Sequence, residues 1–158
     1  DMPEGIEINH VNGHVYVACT KNSKRTAAEP GSPAANNPFG HILELKQKSH
    51  TDLESEWDVF MTGSNDFGCP DDLAFDKYGR FFATTNGLKG DGFFFVENKK
   101  ATRLLTVPPG AQFAGTALTD DYADIFMSVK HPSGPMIPHV MTFAAYNPPP
   151  PAVKGKKR

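Results

Sequence analysis

The chain repeats itself. Pro3-Glu4-Gly5-Ile6 returns as Pro70-Asp71-Asp72-Leu73, and at almost the same offset Gly13-His14-Val15-Tyr16-Val17 returns as Gly79-Arg80-Phe81-Phe82-Ala83. A weaker third copy opens at Gln112-Phe113-Ala114-Gly115 and runs into Asp124-Ile125-Phe126-Met127. Each copy has a small or acidic residue at the start of a short strand, a turn, and an apolar second strand. In the first two copies, two more strand-like runs follow: His41–Leu45 and Trp57–Met61, then Phe93–Glu97 and Arg103–Val107. Such a unit cannot bury its apolar faces alone and must stack on its neighbours. Repeats of four strands at this period are the mark of β-propeller blades.

The expected fold is therefore all-β, with about two and a half to three four-stranded blades. No stretch keeps an apolar face at i, i+3, i+4, i+7 for three turns, which excludes a helical bundle. The 14 Gly and 14 Pro suit a turn-rich chain. Residues 1–146 read as a partial propeller and 147–158 as a Pro-rich basic tail, with Pro148 to Pro151 favouring extended polyproline. A propeller needs at least about four blades to close, so the chain reads as half a ring. The remaining blades are expected from the same parent chain or from another subunit, because an open stack would expose large apolar faces. The start at Asp1 without Met reads as a trimmed product or a piece of something longer.

Charge narrows the partners. Removing the four cations of the tail takes the formal charge from −2 to −6, so no basic field recruits nucleic acid. No apolar run approaches the ~20 residues of a bilayer span. Two cysteines, Cys19 and Cys69, allow one disulfide or none. Cys19, in an alternating strand, reads as a buried structural thiol.

Chemistry is sought where the repeats agree. The opening residues Glu4, Asp71 and Gln112 stand at the start of inner strands, which in a propeller converge near one end of the central channel. Carboxylate and amide oxygens gathered there suit a hard cation such as calcium; the plain alternative is an acid bonding its own turn backbone. Asp76 reads as such a turn acid, and Asn86-Gly87 as a turn or an amide ligand. Lys21, Asn22 and Arg25 form a polar cluster after a strand that could meet a phosphate or carboxylate. His131 closes the strand Ile125–Lys130, where a ligand could sit. None of the six histidines has the close pair spacing of a zinc site.

Five segments, in order, resemble the PhoX alkaline phosphatase family: Pro3–Ile6, Val15–Arg25 (VYVACTKNSKR), Asn37–Ile42 (NPFGHI), Pro70–Asp76 (PDDLAFD) and Ser128–Pro132 (SVKHP). The resemblance implies a six-bladed propeller that hydrolyses phosphate monoesters at a channel mouth, using iron and calcium held by carboxylates and a cysteine, and exported to the periplasm or beyond. This chain would be the C-terminal part, without the earlier blades and their cysteine ligand. Glu4 matches the Glu of the family's Arg-Pro-Glu motif and Asp71 the acid of its Pro-Asp motif, both as metal ligands. Met2 stands where the family has Arg, and Gln112 where it has Glu, so phosphate and metal are both gripped less well. Two other readings stay open: a catalytically degenerate propeller serving as scaffold or binding subunit, and a gluconolactonase-like calcium propeller that rests only on Pro70–Asp76.

Overall fold

The computed structural model describes residues 1–49, 51–87, 91–131 and, as backbone, 139–143. The expected tail, 147–158, lies outside the described residues. No α-helix occurs among the described residues. Strands β1 (Pro3–Asn9), β2 (His14–Cys19), β3 (His41–Lys46) and β4 (Glu56–Thr62) form one antiparallel sheet in sequence order. Strands β5 (Pro70–Phe75), β6 (Phe81–Thr85), β7 (Gly92–Glu97) and β8 (Lys100–Thr106) form a second. Strands β9 (Gln112–Leu118), β10 (Ile125–Lys130) and β11 (His139–Phe143) form a third. The first strands are neighbours, β1 against β5 and β5 against β9, as blades stacked around a common axis require.

The two copies of the repeat fold alike. Asn9 and Asp76, at matching places in the repeat, open their hairpins by accepting the backbone N–H two positions on, Val11 N at 3.0 Å and Tyr78 N at 2.9 Å. Asp76 also accepts Arg80 N at 2.9 Å and pairs with the Arg80 guanidinium, so the turn reading of this acid holds.

Two apolar layers separate the sheets. Between the first and second lie Tyr16, Ile42, Phe75, Phe81 and Phe94, with the Phe75 and Phe81 rings stacked at 4.4 Å between centroids. Between the second and third lie Phe82, Phe93, Phe113, Ile125 and Met127. The middle sheet is thus covered on both faces, which explains why β6 reads as an unbroken apolar run, Phe81-Phe82-Ala83, where alternation would mark a half-exposed strand. The first sheet is covered on one face only. Its other face carries Ile6 and Ile8, exposed at 67% and 44%, in register with Val17 and Val15 and, beyond them, Leu43 and Leu45.

Candidate functional site at the channel end of the inner strands

Each first hairpin carries one β-bulge near its open end. It falls between Pro3 and Ile6, between Pro70 and Leu73, and opposite Met127–Ser128. A bulge adds one residue to one strand and re-aims the side chains beside it. Counting from the bulges, Ile6, Leu73 and Thr116 correspond, since they pair with Val17, Ala83 and Met127. Glu4 and Asp71 then share a position whose third occupant is Ala114. Gln112, which pairs with Lys130, corresponds instead to Met2 and Cys69, one step before Pro3, Pro70 and Phe113. The expected triad of Glu4, Asp71 and Gln112 is corrected to Glu4, Asp71 and Ala114; the weak third copy concealed the shift. Met2 and Cys69 both adopt φ near +50° (52° and 53°), and Met2 O and Cys69 O accept Thr20 N and Asn86 N at 3.0 and 2.8 Å.

The two carboxylates of this position differ in setting. Glu4 is exposed. Asp71 has a side chain only 8% exposed, and its Oδ2 accepts Asn86 Nδ2 at 3.0 Å and faces Lys130 Nζ at 3.6 Å. The second strands supply these partners at equivalent places: Thr20 and Asn86, each one residue past its strand, and Lys130, the last residue of β10. Thr20 leans the same way, its hydroxyl donating to Pro70 O at 2.9 Å. Asp72, beside Asp71 in the bulge, accepts Gly115 N and thereby ties the second inner strand to the third. Gly5 permits the matching approach on the other side, because a Cβ there would lie 2.4 Å from Asp71 O.

The β2–β3 connection rises from the same end and holds a second polar group. An isolated bridge between Asn22 and Asn37 joins the NSKR and NPFGHI segments. Asn22 Oδ1 accepts Lys24 N and Arg25 N, each at 2.9 Å, while its amide donates to the Asp1 carboxylate. Arg25 Nε donates to that carboxylate at 3.2 Å, and its guanidinium pairs with Glu29. His41 is fully buried beneath this loop, Nε2 on Gly31 O at 2.7 Å and Nδ1 facing Asn37 Nδ2 at 3.2 Å. Burial lowers the His41 pKa below its usual 6.5 and keeps the ring neutral, so Nε2 donates to the carbonyl and Nδ1 accepts the amide.

Among the expected phosphate contacts, Asn22 and Arg25 are thus engaged with Asp1. Lys21 and His131 are exposed at equivalent strand ends, Lys21 near enough to draw down the Cys69 thiol, although burial leaves that thiol raised overall. Both cysteines are free and buried. The partnership of His41 with the loop and of Lys130 with Asp71 went unread in the sequence. Spacing gave no cue for either, since His41 meets Gly31 across a loop and Lys130 meets Asp71 from another blade.

The metal expectation can be tested on the side chains present. Glu4 is exposed, Asp71 already accepts an amide N–H and faces an ammonium, and the third blade offers a methyl group. Among the described residues, no three His, Cys, Asp or Glu side chains gather closely enough to hold a metal ion. The described residues do not by themselves compose the metal centre the resemblance implies. Among them, no helix is long and apolar enough to cross a membrane.

The family model described as alkaline phosphatase PhoX matches residues 1–133. Among solved structures, Pseudomonas fluorescens PhoX in complex with vanadate, a transition state analogue, superposes with a TM-score of 0.84 at 22% identity, covering 90% of this chain and 33% of that chain. The present chain therefore spans about a third of that structure's length. No curated protein matches.

Proposed function

The chain belongs to the PhoX alkaline phosphatase family, and on that premise we propose that it forms consecutive blades of a six-bladed ring whose complete form hydrolyses phosphate monoesters. The observation that carries this reading is the uncovered apolar face of the first sheet, Ile6 and Ile8 with Val15, Val17, Leu43 and Leu45. A face of that kind calls for another blade. The chain's 33% share of the Pseudomonas fluorescens structure leaves length for more of them. Members of this family work with metal ions; in this protein iron and calcium would be held mainly by residues of the other blades. These blades would supply the wall of the mouth, with exposed Lys21 and His131 free to meet the ester's phosphate and Glu4 free to join a centre completed from across the channel. The ring would act outside the cytoplasm, on small phosphoesters.

A specific observation favours the second reading, a propeller that keeps the fold and has lost turnover: Asp71 is paired internally with Asn86 and Lys130, and the third blade has Ala114 at the position of Glu4 and Asp71. The gluconolactonase-like alternative gains nothing further, since within its segment Asp76 is spent on a turn.

Hydrolysis of a generic aryl phosphate by the natively purified protein, beside elemental analysis for iron and calcium, separates the readings. Turnover with bound metal is expected. A folded ring with neither metal nor turnover would establish the scaffold.

A further inference from the structure

We infer that Lys130 is a resident cation: its ammonium neutralises the Asp71 carboxylate in place of a metal ion, so this position of the second blade binds no divalent cation in the native protein. The inference concerns one carboxylate and stands whether or not the complete ring turns over phosphate esters.

Three features of the geometry converge on it. Lys130 Nζ lies 3.6 Å from Asp71 Oδ2, and Asn86 Nδ2 donates to the same oxygen at 3.0 Å, so this oxygen is engaged from two blades. The carboxylate is nearly enclosed, its side chain 8% exposed against 37% for Lys130. A buried carboxylate needs a partner charge, and the lysine stem brings one in from the solvent side while its head stays partly hydrated. Lys130 also occupies the place that Thr20 and Asn86 hold in the other blades, a position that in all three turns toward Pro70–Asp71. Putting a cation at this strand end is therefore a one-residue change on a fixed frame. A calcium ion wants six to eight oxygens, and here the neighbours are an ammonium, an amide N–H group and, one blade on, the methyl of Ala114.

The experiment is calcium titration by calorimetry on the natively purified, calcium-stripped protein and three variants, Asp71→Asn, Lys130→Gln and the double substitution, with Lys130→Arg as a control for the charge. The native protein and Asp71→Asn should give the same calcium stoichiometry, because sites elsewhere in the ring are untouched. Lys130→Gln should gain one additional site with a Kd on the order of 1 mM or tighter, and the double substitution should lose it. Lys130→Arg should behave as the native protein. Should Lys130→Gln fold poorly, its melting temperature must rise with added calcium while that of the double substitution does not. The proposal is overturned if Asp71→Asn lowers the native stoichiometry by one, which would put a metal on Asp71 beside the lysine. It is overturned equally if Lys130→Gln neither gains a site nor responds to calcium in its melting. Phosphatase activity enters neither readout, so loss of the catalytic reading would leave this one standing.

Discussion

Gly13 and Gly79 close the first hairpin turns of consecutive blades, both at φ +75°, Gly13 N donating to Asn9 O and Gly79 N to Asp76 O, and they differ sharply in what surrounds them. A Cβ on Gly13 would meet nothing within 4 Å, whereas one on Gly79 would lie 3.0 Å from Asn9 Oδ1, across the blade boundary. Gly13→Ala should therefore cost only the left-handed backbone term, about 1–2 kcal/mol. Gly79→Ala should cost more, because Asn9, which caps the neighbouring turn, must also move. Urea unfolding of the two variants side by side checks the order; equal costs would mean the blade contact carries no energy.

The middle blade offers the sharpest packing test. Phe82 is fully buried and stacks on Phe93 at 5.6 Å between centroids. Phe82→Ala removes a ring from the layer shared with the third blade and should cost about 3–5 kcal/mol. An exposed aromatic such as Tyr78, 36% accessible, should cost well under half of that when changed to Ala, measured in the same denaturant series.

Acid should loosen the β2–β3 loop before the blades. The folded state holds His41 neutral because burial lowers its pKa below 6.5. In the unfolded chain the ring takes up a proton as pH falls through about 6.5, while the folded protein resists. The contribution of His41 is thus fully present above that pH and is lost as pH drops toward the lowered folded value. Melting temperatures of the native protein between pH 7.5 and 5 should fall, and those of His41→Gln should fall less steeply. Parallel profiles would remove His41 as the cause.

The open face of the first blade makes a prediction about the complete protein. If another blade covers Ile6, then Ile6→Lys places a charge in a buried layer and should destabilise the ring by about 2–3 kcal/mol, the worth of a buried aliphatic side chain. A surface change would stay within about 0.5 kcal/mol. Chemical denaturation of the complete protein decides between these, and a neutral result would leave the face free.

The sequence made the repeat, the strands and the hairpin turns legible, because each rests on short-range chemistry: alternation, a turn acid at Asp76, a glycine where φ must be positive. The channel end was legible only in part. Glu4 and Asp71 share a position, as the Pro-acid openings suggested, but the third copy lacks a Pro-acid opening to mark its start, and strand register puts Ala114 at that position in place of Gln112. Asn22 and Arg25 were visible as polar residues after a strand, yet their engagement with Asp1 depends on how the β2–β3 loop folds back over Asn37. His41 lies within Asn37–Ile42, and a histidine under a loop of its own blade looks in sequence like any strand residue. Lys130 pairs across a blade boundary, a contact that no local window contains.

Each sheet is made of consecutive strands, β1 to β4 and β5 to β8, and none of these strands is lent to a neighbour. Cutting the chain in the linker 63–69 would sever no ladder between strands, whereas a cut inside a hairpin would halve one. Whole blades are thus the units in which such a ring can be divided, permuted or delivered as separate polypeptides, and what reunites them is the fit of one sheet face against the next.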